Sequence, residues 1–315
     1  MHSKRSESGV NARPHCGDSR RVSVVIASHQ RHREVVRAVR SVLDQTLPPV
    51  EVVVSNDGPD PEKGRLLANL EDKRVRFVEA PRRRNASATR NFGISQAQGD
   101  WIALLDDDDI WLPRKLEHQF EALEMANVPT AILAGVERVY PRQGKVRYRP
   151  DGTVQAVNAV HDAMFTGAGG VHTSTVMAPA KAFRSYEFNE DAERHEDWEW
   201  LLEAGQELPL VITPEVVCEC RLTPGEGLRK PGEYDYTWRW YLRNRHLMPS
   251  TTRGRFVSKI LSTKAAHDRK LKALPALLGE LIDNAALSHS NLRWFLLPWI
   301  VPAAARRRLR DLRAS

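Results

Sequence analysis

The segment that decides the fold is GDWIALLDDDD, residues 99–109. Its first half, 101–105, is a short apolar run, which is typical of a strand buried inside a sheet. Its second half, 106–109, is four consecutive aspartates placed where that strand would end. Adjacent carboxylates repel one another and are costly to bury unpaired, so the pattern favours a bound cation. The alternative is a solvated acidic turn in which Asp108 or Asp109 caps the following helix.

Composition is that of an ordinary soluble globular protein. The 315 residues are 41% hydrophobic and 28% charged, which is enough for one large α/β domain or two smaller ones. The net charge of +7 suits a polyanionic partner, whether nucleic acid, an anionic membrane surface or a phosphorylated substrate. Three cysteines make no disulfide framework and no His/Cys spacing indicates zinc, so a cytoplasmic setting is expected. Residues 1–20 lack the apolar core of a signal peptide and are predicted to be a disordered leader.

Strand-like and helix-like patterns alternate between residues 21 and 140. This alternation predicts an α/β fold with a mostly parallel sheet covered by helices on both faces. Ligands of such sheets bind beyond the carboxyl ends of the strands, so the polar endings at 28–30, 56–57 and 106–109 should converge. Neither a G-x-G-x-x-G motif nor a phosphate loop is present, so a nucleotide's phosphates would be held through a metal. The predicted strands are 21–27, 51–55, 75–78, 101–105 and 131–140, and the predicted helices include 35–43, 65–70, 86–98 and 116–123.

Several motifs together resemble a known family. They are SVVIASHQR (23–31), SVLDQT (41–46), NDG (56–58), ATRN (88–91) and LDDDDIW (105–111). In order and spacing they resemble the inverting family 2 glycosyltransferases with the GT-A fold, over about 20–220. The resemblance implies a GT-A-like domain at 21–225, followed by a helical C-terminal region at 226–315.

The resemblance also implies a nucleotide-sugar donor and a divalent ion, Mg²⁺ or Mn²⁺, bound by an Asp-x-Asp motif. By position Asp57 would contact the base, Asp106 would lie near the ribose, and Asp108 would reach the metal. Asn56, Pro59 and His29 depart from the commoner residues of the family, which leaves the identity of the base open. The implied metal ligands are Asp108 and Asp106, and the implied donor-binding residues are Ala27, His29, Asp57, Arg84, Arg90, Asp106 and Asp107.

A second acidic segment, EDAERHEDWEW at 190–200, is expected to form the acceptor side. It resembles the family's Glu-Asp pair at the start of a helix beneath the acceptor, which makes Asp197 the general base. Glu196, Trp198 and the loop residue His172 are assigned to the acceptor side as well. The alternative is a helix start that favours acids, with indoles packing inward. A base and a metal are sufficient for an inverting transfer, without a covalent nucleophile.

The C-terminal segment 291–313 combines an apolar, Trp-bearing run with a cluster of arginines. The run is too short to span a bilayer but suits the surface of an anionic membrane. The alternative is a C-terminal helix that packs on the domain and has a frayed basic end.

The sequence thus predicts transfer of a sugar from a nucleotide diphospho-sugar, with UDP expected, to an acceptor hydroxyl. The expected acceptor is a surface glycan or its lipid-linked precursor, with the enzyme in the cytoplasm or on the cytoplasmic face of the membrane. A nucleotidyltransferase is the enzymatic alternative. A nucleic-acid- or membrane-binding protein and a catalytically silent family member are the others, although no nucleic-acid-binding motif is present.

Overall fold

The computed structural model describes residues 20–81, 84–141, 145–150, 159–165, 170–221, 232–301 and 305–306. The predicted leader up to residue 19, Arg82 and Arg83, and most of the arginine-rich tail lie outside these ranges.

Nine strands of the described residues form one sheet, in the order β3-β2-β1-β4-β8-β6-β9-β5 with β7 paired to β6. Strands β3, β2, β1 and β4 are parallel, as is the pair β6–β9, whereas β8, β7 and β5 pair antiparallel. The α/β architecture predicted from the sequence is therefore confirmed, with mixed pairing in its second half. The strands are β1 Val22–Ser28, β2 Glu51–Asn56, β3 Val75–Glu79, β4 Trp101–Asp106, β5 Ile110–Trp111, β6 Ile132–Tyr140, β7 Arg147–Arg149, β8 Met177–Pro179 and β9 Leu210–Arg221.

Helices cover both faces of the sheet. Alternate residues of β1 point to opposite sides, so Val24 and Ile26 pack with helix α1 while Val25 packs in the cluster on the other face. That second cluster continues into the predicted helical C-terminal region. The helices are α1 His32–Leu43, α2 Pro61–Ala68, α3 Ala86–Gln96, α4 Lys115–Ala126, α5 Val160–Phe165, α6 Ala180–Ser185, α7 Glu196–Ala204, α8 Glu233–Asn244, α9 Ser250–Arg255, α10 Ser262–His267, α11 Leu274–Asp283 and α12 His289–Ile300.

The register of the parallel strands brings three polar strand endings to one edge. In β1, Ala27 lies opposite Asp106 of β4, and Ser28 lies opposite Asn56 of β2. Because parallel strands share a direction, their carboxyl ends must meet there. The convergence predicted from the sequence is confirmed.

Helix α3 lies unusually close to the sheet because it contains Gly93. A Cβ atom at this position would lie 2.7 Å from Val25 Cγ1 and 2.9 Å from Ser55 Cβ, which is closer than real contacts allow. The glycine therefore sets the distance between α3 and strands β1 and β2.

Two glycine substitutions should have opposite effects on stability. Gly93→Ala should lower the free energy of unfolding by about 1–3 kcal/mol, because the added methyl overpacks the core. Gly279→Ala in α11 meets no atom within 4 Å and should raise it by up to about 1 kcal/mol through helix propensity. Urea unfolding of the two variants measures both changes, and equal stabilisation of both would show that α3 is free to move.

Candidate functional site

A cleft of about 870 Å³ opens at the edge where β1, β2 and β4 end. This volume lies within the usual range for sites that hold small-molecule ligands, roughly 300–1,000 Å³. The three predicted strand endings, the start of α3 and three residues from later in the chain meet in it. The lining consists of Ala27, Ser28, His29, Gln30, Arg31, Asp57, Ala86, Thr89, Arg90, Asp106, Asp107, Asp108, Asp109, Arg149, His172 and Cys220.

Asp57 forms one end of the cleft, where the family resemblance places the base. One of its oxygens accepts a hydrogen bond from the backbone N–H of Arg84 at 2.8 Å, and the other lies 3.8 Å from His29 Nδ1. The guanidinium of Arg84 is turned to Glu190 instead. Arg84 therefore contacts the predicted nucleobase site through its backbone N–H and not through its guanidinium.

A buried lysine supports this end of the cleft from behind. Lys63 Nζ donates to Ser28 Oγ at 2.8 Å and to Asn56 Oδ1 at 2.6 Å, and the side chain is completely buried. Burial lowers the pKa of Lys63, while Asp107 and Asp60 act in the opposite direction. Sequence analysis did not identify this residue, because a lysine in a short helix usually faces solvent.

The aspartate run is held by groups on either side of it. Arg31 NH1 lies 2.9 Å from Asp107 and 2.7 Å from Asp108, and the backbone N–H of His29 donates to Asp107 at 3.2 Å. Asp109 is buried and accepts from Ser174 Oγ at 2.6 Å. Burial, and then the charge of Asp106, raises the pKa of Asp109 to about 8. Arg31 was not among the predicted site residues, although it is the last residue of the SVVIASHQR motif.

Arg90 joins the aspartate run to helix α7. It is 8% exposed, and its guanidinium donates to Asp106 at 2.9 Å and to Glu196 at 3.0 Å. The resemblance assigned Arg90 to the donor, and the residue does line the cleft. Its two ion pairs also make it the link between the aspartate run and Glu196, the residue before the predicted base Asp197.

The predicted base Asp197 has a carboxyl whose pKa lies near neutrality. Burial, and then the adjacent Glu196, raises its pKa to about 7, while Arg90 acts in the opposite direction. One oxygen accepts from the backbone N–H of Trp198 at 2.9 Å, which fixes the carboxyl at the start of α7. A pKa near the working pH is what proton abstraction from a hydroxyl requires.

The other two residues assigned to the acceptor side have different surroundings. His172 lines the cleft and lies 3.6 Å from Asp109 and 3.3 Å from Glu137, beside the aspartate run. Trp198, like Glu196 and the predicted base Asp197, is not part of the cleft lining. Its ring stacks on His195 at 4.1 Å and packs near Trp240, so it contributes to the core between α7 and α8.

The acidic residues of the cleft fit a divalent cation. Ligand atoms of Asp106, Asp109 and His172 lie within 4.8 Å of one another, and carboxylate oxygens suit Mg²⁺ or Mn²⁺. Burial, and then the charge of Asp106, raises the pKa of Asp109, and a cation beside it would favour the ionised form. Asp108, the predicted metal ligand, is paired with Arg31 and stays a prediction.

The fold and the site together define a GT-A-type protein. A comparison with solved structures agrees: the S. aureus TarS fragment 1–349, in complex with UDP-GlcNAc, superimposes with a TM-score of 0.63 at 14% identity. The alignment covers 93% of this chain and 88% of TarS 1–349. Residues 23–172 match the sequence model described as glycosyl transferase family 2. Residues 23–172 therefore form a glycosyl transferase family 2 domain, which confirms the resemblance.

Curated relatives point to glycan synthesis. An uncharacterized glycosyltransferase of Rickettsia conorii is 27% identical over 66% of this chain and 35% of its own length. The succinoglycan biosynthesis protein ExoO of Rhizobium meliloti is 37% identical over 35% of this chain and 32% of its own. The E. coli UDP-Glc:alpha-D-GlcNAc-diphosphoundecaprenol beta-1,3-glucosyltransferase WfaP is 27% identical over 34% of this chain and 43% of its own. The matches thus span about a third to two-fifths of these relatives.

Replacing Lys63 tests its supporting role. Lys63→Met should lower the free energy of unfolding by about 1–3 kcal/mol, because the buried oxygens of Ser28 and Asn56 lose their donor. The exposed Lys181 of α6 provides the control, since Lys181→Met should change stability by no more than about 0.5 kcal/mol. Urea unfolding at neutral pH compares them, and an unchanged Lys63→Met would contradict the role.

Proposed function

We propose that this protein transfers one sugar from a UDP-sugar to an acceptor hydroxyl, with inversion, during synthesis of a cell-surface glycan or its lipid-linked precursor. The observation that carries the proposal is a row of side chains: Asp57, the aspartate run and Arg90 line one cleft, and Arg90 also pairs with Glu196, the residue before Asp197. Such a row offers a site for the nucleobase, a metal site and a catalytic general base, in the order that the reaction needs. The UDP-GlcNAc in the TarS structure and the substrates in the name of WfaP support the donor and the acceptor class.

The donor would lie along the first part of this row. Its base would lie between Ala27, His29 and Asp57, and its diphosphate would lie toward Asp106 and Asp108. Mg²⁺ or Mn²⁺ at these aspartates would offset the negative charge that develops on the departing diphosphate. Arg31 keeps Asp107 and Asp108 in place by pairing with both.

The acceptor hydroxyl would lie within reach of Asp197. The carboxylate takes the hydroxyl proton as the oxygen attacks the anomeric carbon, and the bond from that carbon to UDP breaks on the opposite face. Attack and departure on opposite faces invert the configuration in a single displacement. Arg90 positions both partners, because it contacts Asp106 on the donor side and Glu196 beside the base.

Nucleotide binding tests the donor assignment. UDP and UDP-sugars should raise the thermal midpoint more than other nucleoside diphosphates, and Mn²⁺ should increase the effect. Asp108→Asn should lose the Mn²⁺-dependent part, whereas Asp44→Asn, at an exposed aspartate after α1, should keep it. Analysis of the products decides the reaction type, since release of pyrophosphate instead of UDP would indicate a nucleotidyltransferase.

Asp197→Asn should lower turnover by about two to four orders of magnitude, the usual contribution of a general base. In the native enzyme the rate should rise with pH through about 7, because only the ionised carboxylate accepts a proton. Glu193→Gln, at an exposed acid of the same segment, should keep both rate and profile. Steady-state kinetics measure these effects, and loss of UDP-sugar binding by Asp197→Asn would instead place Asp197 in the donor site.

The same substitution should stabilise the protein at neutral pH. A carboxyl whose pKa is raised on folding binds a proton more tightly in the native state, so its stability contribution falls as pH rises from about 4 to about 7. Asn has no such loss. The melting temperature of Asp197→Asn should therefore exceed that of the native protein at pH 8, and the difference should shrink toward pH 4.

We also propose that helices α11 and α12 contact an anionic membrane surface, where a lipid-linked acceptor would lie. Helix α12 packs on the core through Phe295, which is 1% exposed, while Leu296 and Ile300 are 48% and 73% exposed. Ile282 of α11 is 60% exposed. Among the residues the structure describes, no helix is long and apolar enough to cross a membrane. Helix α12 thus packs on the domain through one face and leaves apolar side chains of another face exposed, which supports the membrane proposal.

Vesicle binding tests the membrane proposal. The protein should sediment with vesicles that contain anionic lipid, and less so at high salt, because screening weakens the attraction of basic groups. The double substitution Leu296→Glu, Ile300→Glu should abolish sedimentation without disturbing Phe295. Met125→Glu, at a 75% exposed residue of α4, is the matched control. Equal sedimentation of all three proteins would refute the contact.

A further inference from the structure

A second group of metal-ligating side chains lies at the floor of the cleft, beside the aspartate run. Ligand atoms of Asp109, Glu137 and Cys220 lie within 4.8 Å of one another, and all three residues are buried or partly buried. His172 Nδ1 lies 3.3 Å from Glu137 Oε1 and 3.6 Å from Asp109 Oδ2. The chain thus brings two carboxylates, an imidazole and a thiol together from four separate segments.

Glu137 is the unusual member of this group. It is completely buried, yet one of its carboxylate oxygens has no hydrogen-bond partner. Its Oε2 accepts from Arg149 Nε at 2.9 Å, whereas its Oε1 faces the group and accepts none. His172 Nδ1 also lacks a hydrogen bond, although the two atoms are 3.3 Å apart. Leaving such buried polar atoms unsatisfied is costly, so their partner is expected to be a ligand.

The backbone of β6 is shaped to present Glu137 to the group. The pairing of β6 with β9 is shifted at two successive steps, between Gly135 and Val136 and between Val136 and Glu137. Irregularities of this kind redirect side chains and occur preferentially beside functional sites. The shift places Glu137 opposite Cys218 of β9, two residues before Cys220 on that strand.

We propose that Asp109, Glu137 and Cys220, with His172 as the fourth ligand, bind a first-row transition ion of the Zn²⁺ class. Asp109 and His172, which also lie near Asp106, then belong to this ion, and Asp106 and Asp108 are left for the hard cation of the donor site. Zn²⁺ accepts carboxylate, imidazole and thiolate together, with bonds of about 2.0–2.3 Å that place tetrahedral ligand atoms roughly 3.3–3.8 Å apart. The two distances from His172 Nδ1 lie in this range. A thiol in the set favours Zn²⁺ over Mg²⁺ or Mn²⁺.

The charges of the group balance when the ion is bound. Two carboxylates and one thiolate give −3, and Arg149 beside Glu137 contributes +1. A divalent ion supplies the remaining +2. The ion would join β6, β9, the aspartate run and the turn that contains His172 into a rigid cleft floor. This role does not depend on sugar transfer.

Cobalt spectroscopy tests the site without an activity assay. Metal-free, reduced protein is titrated with Co²⁺, whose bond to a thiolate gives a charge-transfer absorption that carboxylate sites lack. We expect this absorption in the native protein, in Asp108→Asn, which alters the predicted donor metal site, and in Cys218→Ser, the matched control two residues away on β9. It should vanish in Cys220→Ser, and Glu137→Gln should weaken Co²⁺ binding at least tenfold.

Three results would overturn the proposal. They are no charge-transfer absorption in the native protein, its persistence in Cys220→Ser, and its loss in Asp108→Asn, which would assign the ion to the donor site. If the native protein shows no charge-transfer absorption, the Cys220 thiol only donates a hydrogen bond to Asp109. Circular dichroism confirms folding of each variant. If Cys220→Ser does not fold, unchanged Co²⁺ affinity in the isosteric Glu137→Gln refutes the site.

Discussion

The pairing of Arg90 with Asp106 and Glu196 is the interaction on which the rest of the site depends. It is a nearly buried cation between two carboxylates, and removing one member of such a group leaves an uncompensated charge, at a cost of about 3–5 kcal/mol. Helix α3 supplies the arginine and is itself held by hydrogen bonds to the segment that precedes α7. Asn91 of α3 exchanges two hydrogen bonds with the backbone of Phe188, and Asn85 donates to the carbonyl of Glu190. The spacing between the proposed donor and acceptor sides is therefore set by one helix.

The sequence predicted the part of this arrangement that follows from local patterns. Buried strands ending in polar residues identify one edge of a parallel sheet, and the order of the motifs identified the family. What could not be predicted depends on contacts between distant segments. Glu137 and Cys220 meet through a shifted pairing of two strands, and strand periodicity alone gives no sign of such a shift. Lys63 was not predicted because a lysine in a helical pattern is expected to be exposed. In the structure its buried ammonium lies beside oxygen atoms of Ser28, Asn56 and Asp60.

The position of Trp198 shows why site residues near a motif are difficult to assign. Its neighbour Asp197 has the surroundings of a base, but the indole is one residue further around the helix and points into the core. His195, at φ 63°, turns the chain into α7 and presents its ring to Trp198. Burial lowers the pKa of His195 to about 3, so the stacked imidazole is neutral. The partner ring Trp240 is 42 residues away from Trp198 in sequence, and no local pattern indicates that contact.

The aromatic cluster around Trp198 has a consequence for how this protein can be recombined with its relatives. Phe256 lies against Phe165, Trp198 and Trp240, so rings from both sides of the expected boundary at residue 225 share one core. The family domain is therefore not a cassette that can be excised there and joined to another tail. A chimaera cut at that point would expose several aromatic faces to water and would be prone to aggregate. Junctions that preserve the core must keep α7, α8 and the segment around Phe256 from the same parent.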